Sequence, residues 1–396
     1  MAVPRTRIPA PAATPEPAAP HAGPGRGPAS RPPVVFLSLR DLANPQAGGS
    51  EQLVDRLASG LVERGYPVTL VCGGPVDRDR PYRVVRNGSR LSQFVTAPRA
   101  VHRLGRVGLL VEVCNGMPFL TPLWCNRPRI CLVNHVHSEL WQLRYPPPVA
   151  ALGRYAETVL MPRAHRRNLF VAVSESTASA LADLGVDRDR IRIINNGVED
   201  AEGAGAIPLE SPEPMFLALG RLAEYKRIDL LLRLWERVRP VTGGTLVIAG
   251  DGPERERLQD LAGPGVRFTG KVSERDKAQL LSSAWLLLHP AQVEGWGLVV
   301  TEAAIRHTPA IGFDVPGLRD SVLPGVTGLL ARTESGFASA WATLALDPRR
   351  RRAMGRAARL RGSELRWPMT VDRFAAVVDE ALHRDGAGRG SGSGRG

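Results

Sequence analysis

Val34-Val35-Phe36-Leu37-Ser38-Leu39, Gly48-Gly49-Ser50-Glu51 and Val68-Thr69-Leu70-Val71-Cys72 lie within the stretch that decides the fold. The first run is short and apolar without polar alternation, as a strand buried on both faces of a parallel sheet must be. After the glycine pair, Leu53, Leu57 and Leu61 recur at i+4 spacing, which predicts a helix that Gly65 stops. Another apolar run follows. Strand, loop, helix and strand make a βαβ unit with a right-handed connection.

The alternation continues outward. Strands are expected at 107–114, 130–134, 169–174 and 191–195, with a basic helical stretch at 149–167. Residues 201–214 turn to Ala, Gly, Pro and Glu without hydrophobic period, as a linker does. Strands then return at 215–219, 245–249, 266–268, 285–289 and 310–313, alternating with helices at 228–238, 254–261 and 298–306. Helices near 338–344, from 349 and near 371–382 close the chain. The fold class is therefore α/β, with two Rossmann-like doubly wound domains facing across a cleft, the natural place for a ligand. The plan is a Pro/Ala-rich leader at 1–33, a first domain at 34–202, a linker at 203–214 and a second domain at 215–366. A last helix at 367–385 and a Gly/Ser/Arg tail at 386–396 complete it. The leader holds 10 Pro, 8 Ala and 3 Gly, too little apolar surface to offset its ordering entropy, so it is expected to be disordered, as is the tail.

Composition narrows the function classes. No apolar stretch approaches the ~18 residues that span a bilayer, and the N-terminus lacks a secretory pattern. Four cysteines show neither metal-ligand spacing nor a disulfide framework, which fits a reducing cytoplasm. The net charge of +13 attracts anions without choosing among them. Aromatics are only 5% of residues and do not interleave with the basic segments, so nucleic acid is not an expected partner. Arg144, Arg154, Arg163, Arg166 and Arg167 form the stretch that would touch anionic lipid or a phosphorylated carrier, although a solvated face fits them better. Peripheral contact with the inner face of the membrane stays open.

Chemistry concentrates in Glu294-Gly295-Trp296-Gly297-Leu298-Val299-Val300-Thr301-Glu302. A helix starting near Gly297 would present free N–H groups to diphosphate oxygens, and the glycines would let the ligand approach the backbone. Glu302, just over one turn inside, would accept ribose hydroxyls, and Glu294 hydroxyls of a donor sugar. Alone, the two carboxylates also fit an ordinary loop and helix. Arg221 and Lys226, in Gly220-Arg221-Leu222-Ala223-Glu224-Tyr225-Lys226, follow a strand at its carboxyl end and would neutralise a diphosphate. Alone, they also fit two solvated cations.

The combination, in order along 34–384, resembles glycosyltransferase family 4, retaining nucleotide-sugar transferases of GT-B fold. The resemblance rests on Glu294 with Glu302, Arg221 with Lys226, Gly250-Asp251-Gly252-Pro253, Gly270-Lys271-Val272-Ser273, Pro316-Gly317 and Gly325-Val326-Thr327-Gly328. It implies that the last helix packs back on the first domain. It implies Arg221, Lys226, Glu294 and a cleft histidine as catalytic residues, with Gly48, Gly49, Val272, Gly295, Trp296, Gly297, Leu298 and Glu302 binding the donor. Asn44-Pro45-Gln46-Ala47-Gly48-Gly49-Ser50-Glu51 is similar to the family's glycine loop. Ser174-Glu175-Ser176 and Asn195-Asn196-Gly197-Val198 match later motifs but read better as caps and turns. Of His135 and His137 one is expected to face the cleft, and His137 is taken. Two departures stand out: His307 and Arg227 occupy positions where relatives usually have glycine.

The implied reaction moves a sugar from a UDP- or GDP-sugar to an acceptor hydroxyl with retention. It needs neither a resident cofactor nor a metal, because cations and main-chain N–H groups meet the leaving phosphate. Lipid-linked glycans, natural products and small metabolites remain open as acceptors. A nucleotide-sugar epimerase or phosphorylase of the same architecture and a non-catalytic nucleotide-sugar-binding protein are the rival readings.

Overall fold

The computed structural model describes residues 31–74, 79–89, 92–199 and 210–390, without the side chains of Glu139, Leu143, Arg144 and 385–390. Most of the leader, the linker up to 209, the tail from 391 and the Arg144 side chain thus lie outside the described residues.

The first sheet holds β1 (Val34–Ser38), β2 (Val68–Cys72), β3 (Arg83–Arg86), β4 (Leu109–Cys114), β5 (Arg129–Val133), β6 (Leu169–Ala172) and β7 (Ile191–Ile193). Among the described residues its order is β3-β2-β1-β4-β5-β6-β7, with parallel neighbours throughout. Its helices are α1 (Gly49–Glu63), α2 (Gln93–Arg103), α3 (Ser138–Arg144), α4 (Pro147–Tyr155), α5 (Met161–Ala164) and α6 (Glu175–Asp183). The second sheet holds β8 (Met215–Leu219), β9 (Thr245–Ala249), β10 (Val266–Gly270), β11 (Leu286–His289), β12 (Ala310–Phe313) and β13 (Gly328–Ala331). Its order is β10-β9-β8-β11-β12-β13, again parallel. Around it lie α7 (Ile228–Thr242), α8 (Arg255–Asp260), α9 (Glu274–Ser283), α10 (Leu298–Ala304), α11 (Leu318–Ser321), α12 (Glu334–Leu346) and α13 (Pro348–Ser363). Both sheets reverse strand order beside their first strand, the switch point where such folds bind ligands.

Burial explains the strand sequences. Every residue of β1 and β4 is buried, so their runs carry no alternation. Glu112 on β4 is the exception in kind: its carboxylate accepts three main-chain N–H groups from Phe119, Leu120 and Thr121 and pairs with His165, which makes a buried charge tolerable. Cys72, Cys114 and Cys131 are buried and are not disulfide-bonded.

The final helix, α14 (Trp367–Gly390), crosses back onto the first domain. Phe374 is fully buried and stacks on Phe36 of β1 at 5.9 Å, and Val371 fills the space where a Gly60 side chain would stand. At the crossing the Val198 N–H donates to the Leu365 carbonyl at 2.7 Å, and Gly197 leaves room for the Trp367 backbone.

Three boundaries differ from the sequence reading. Arg31 stacks on Tyr66, and the Gly108 N–H donates to the Pro33 carbonyl, so residues 31–33 belong to the packed chain rather than the leader. Glu210, read as linker, meets the buried Arg351 guanidinium, and the Trp285 indole donates to the Ser211 carbonyl; these contacts tie 210–214 to the second domain. The helix α14 runs on to Gly390, because propagation adds a hydrogen bond per residue once a helix is nucleated.

Candidate functional site

The site is built from loops at the carboxyl ends of β8, β9, β11 and β5, which converge where the domains meet. After β8 the chain makes a tight turn over Glu224–Lys226 and a left-handed residue at Arg227 (φ 52°). This brings the Lys226 ammonium 2.7 Å from Glu294 Oε2. His289, the last residue of β11, reaches the same oxygen at 3.0 Å, and Oε1 accepts the Gly295 N–H at 3.1 Å. Burial works to raise the Glu294 carboxyl, but Lys226 and then His289 hold it well below the usual range. The His289 imidazole is pushed down by burial. The cluster is therefore an ionised carboxylate with an ammonium and a neutral imidazole on it.

Glycines set how closely backbones approach this carboxylate. Gly250 lets the β8 and β9 loops touch, since a Cβ there would stand 1.9 Å from the Gly220 carbonyl. Gly297 adopts φ +81° at the start of α10, and Gly317, also at φ +81°, passes so near that its Cβ would stand 2.4 Å from the Glu294 carbonyl. Gly295 does the same across the domain gap, where a Cβ would meet the Asn134 carbonyl at 2.5 Å. Gly49, at the start of α1, faces the Leu298 side chain from the other domain.

The predicted site residues are thus mostly brought together. Gly48 is the N-cap of α1 and donates its N–H to the Glu51 carboxylate three residues on, which also holds Arg40. Glu302 is paired with Lys277 of α9 at 2.8 Å, and Lys277 also touches Glu274. Burial acts to lower the Lys277 ammonium, but Glu302 and Glu274 raise it. Arg221 lies half-buried in the loop after β8, and among the described residues no ion pair holds it. Val272 packs on the apolar cluster of β9 and β11. Trp296 is 2% exposed within an apolar cluster shared by both domains, so its indole is a packing group.

Arg227, at a position where relatives usually have glycine, pairs with Glu334 and lies over the Phe313 ring. One other reading is corrected. The histidines do not divide into one facing the cleft and one facing away. Residues two apart share a side of extended chain, and here the rings stack with centroids 3.8 Å apart. His137 Nδ1 lies 3.3 Å from Glu157, whereas His135 feels the charges of Glu294 and Lys226. Burial, then His137, pushes the His135 imidazole down to about 3. Ser174 caps α6 by accepting the Thr177 N–H, the bland alternative for that motif.

Sequence reasoning missed His289 and Lys277, and it missed Ser50, whose hydroxyl accepts from both Asn115 and Asn134 at 3.1 Å. His289 left a signal as the one polar side chain of a buried strand. Lys277 left none, because its partner lies on another helix.

Two parallel Rossmann-like sheets, a crossover helix and a charged site in the gap define a GT-B protein, and comparison agrees. The family described as "Glycosyl transferases group 1" matches residues 204–361, and "Glycosyltransferase Family 4" matches residues 47–202. Glycogen synthase of Mycobacterium tuberculosis is 30% identical over 57% of this chain, and the match spans 58% of its own length. D-inositol 3-phosphate glycosyltransferase of Nocardia farcinica is 27% identical over 91% of this chain and 92% of its own. Sucrose-phosphate synthase from Thermosynechococcus elongatus superposes with a TM-score of 0.76 at 21% identity, over 89% of this chain and all of its own. HepE of Anabaena, solved with UDP and glucose, gives 0.70 at 17% identity, over 88% and 100%. The chain belongs to glycosyltransferase family 4.

Proposed function

We propose that the chain transfers a sugar from a UDP- or GDP-sugar to an acceptor hydroxyl, with retention and without a divalent metal. The observation that carries this reading is Lys226 on Glu294, at a domain gap that Gly295, Gly297 and Gly317 keep free of side chains. The cluster suits an anionic leaving group beside a polyhydroxylated ring. In this reading Arg221 and Lys226 stabilise charge on the departing diphosphate. Glu294, already ionised, accepts sugar hydroxyls. Glu302 accepts the ribose hydroxyls, which requires Lys277 to yield its contact. The neighbour solved with UDP and glucose supports a uridine donor.

The acceptor is assigned to the first domain. A cavity of about 630 Å³ lies beside α3 and α4, lined by Gln142, Tyr145, Arg154, Tyr155 and Thr158 among others. Val149, Leu152 and Tyr155 are exposed on α4, next to Arg154 and Arg163, an arrangement suited to peripheral contact with an anionic membrane. Among the described residues no helix is long and apolar enough to cross one.

The test is donor hydrolysis by the full chain, followed by proton NMR before the released sugar mutarotates. From an α-linked donor in EDTA, the α-anomer should appear first. Release of the β-anomer, or dependence on added metal, would sink the mechanism.

A further inference from the structure

Behind the two histidines lies a buried carboxylate that the transfer reading has not used. Glu157 sits in a π-helical turn, Ala156–Leu160, between α4 and α5. Such turns carry an extra residue, which re-aims side chains, and are frequent at functional sites. The Glu157 side chain is 1% exposed. Oε1 accepts the His137 main-chain N–H at 2.8 Å, and Oε2 accepts the Trp141 indole N–H at 3.0 Å. His137 Nδ1 is 3.3 Å from Oε1 and 3.2 Å from the His135 carbonyl oxygen. With Glu157 ionised both neighbours only accept, so Nδ1 carries the proton and the ring lone pair falls on Nε2.

Glycines shape this cluster too. At Gly153 a Cβ would stand 2.4 Å from the Trp141 ring, and at Gly116, φ +90°, it would stand 3.3 Å from Trp141 and in ordinary contact with His137. Trp141 is therefore pressed on the α4 backbone with its N–H turned to Glu157. The other end of the chain of contacts is the donor side: His137 stacks on His135, and the His135 Cβ faces the bare backbone of Gly295. Among the described residues, His135 Nε2 is buried without a hydrogen-bond partner.

We propose that Glu157 is a positioning residue for the transfer, fixing the tautomer and ring orientation of His137 and, through the stack, the place of His135 beside Glu294 and Lys226. This rests on the reading of the domain gap as the donor site. Burial pushes the Glu157 carboxyl up to about 7, against the two hydrogen bonds it accepts. The groups facing it are His137 and Trp141 of α3 and its lead-in, His135 after β5, and the Cys114 thiol of β4, which lies within its field. The ionised form that holds Nδ1–H therefore fills in through pH 7, and turnover rises with it.

The experiment uses the full chain labelled with ¹⁵N-histidine, as wild type, Glu157→Gln and Glu157→Met. Hydrolysis of UDP-glucose, GDP-mannose and ADP-glucose is measured from pH 5.5 to 8.5 as about seven points, enough to define one titration. Wild type should show His137 as the Nδ1–H tautomer. Glu157→Met leaves only the His135 carbonyl on Nδ1, so it should mix in the Nε2–H tautomer and lose roughly 10²-fold in kcat, with donor KM little changed. Glu157→Gln, which still accepts the His137 N–H, should keep the tautomer but lose the rise in kcat through pH 7. An unchanged His137 spectrum in Glu157→Met, or a wild-type rise through pH 7 in Glu157→Gln, overturns the proposal; if the Met variant does not fold, the Gln variant decides. Failure of wild type to hydrolyse any of the three donors counts against the donor reading instead, and the spectrum still decides the role of Glu157.

Discussion

Lys226 and Glu294 lie 2.7 Å apart with side chains less than a fifth exposed, so neither partner is easily removed alone. Lys226→Ala leaves the Glu294 carboxylate, among the described residues, with His289 and the Gly295 N–H, and should cost about 1–3 kcal/mol in urea denaturation. Glu157 has the opposite character, because its carboxyl is raised from 4.5 to about 7. The folded state holds a proton that the unfolded chain releases. Stability is then full below pH 4.5, falls as pH rises toward 7 and levels off above it. Denaturation midpoints of wild type against Glu157→Gln, taken at pH 5, 6, 7 and 8, should show that decline only in wild type. At this scale the sequence made the two glutamates and the strand-end cations legible, since their spacing survives translation into loops. It could not show what they touch. The expected division of His135 from His137 failed because i and i+2 share a side, and His137 (φ −85°, ψ 9°) already turns into α3.

Elements were most legible where burial is two-sided. The runs at 215–219, 245–249 and 310–313 coincide with β8, β9 and β12, since buried parallel strands read as unbroken apolar runs. β3, only Arg-Val-Val-Arg at a sheet edge, is too short to show alternation, and α2 went unread because Pro98 inside it reads as a helix breaker although Gln93, Ala97 and Val101 are buried at i+4 spacing. The loops between elements invite two tests. In Gly250→Ala the added Cβ meets backbone rather than a movable side-chain end, at φ +132°, so the second domain should lose about 1–3 kcal/mol, read as a lower Tm. Gly295→Ala places a methyl against the Asn134 carbonyl across the gap. It should leave each domain folded but hold them apart, seen as a larger radius of gyration in solution scattering.

On the scale of the molecule, α14 is covalently an extension of the second domain and physically a part of the first core. Phe374→Ala should cost about 3–5 kcal/mol, with loss of first-domain packing monitored by near-UV circular dichroism. Periodicity showed that a helix lies near 371–382; its packing on the first domain came from the family resemblance alone, and its docking on β1 and α1 from the structure, because an apolar face does not name its partner. The joining of the domains through α14, the Val198–Leu365 bond and the glycine contacts around Glu294 places one charged site between two sheets. Whether that site holds a nucleotide sugar is the central claim. The direct measurement is thermal unfolding of the full chain with UDP, GDP, ADP and their sugar conjugates in EDTA, repeated with Lys226→Ala and Glu302→Ala. Ligand that binds only the native state must raise its stability. Stabilisation of wild type by one nucleotide series, lost in both variants, is the predicted result; no stabilisation by any of them, or the same stabilisation in both variants, would contradict it.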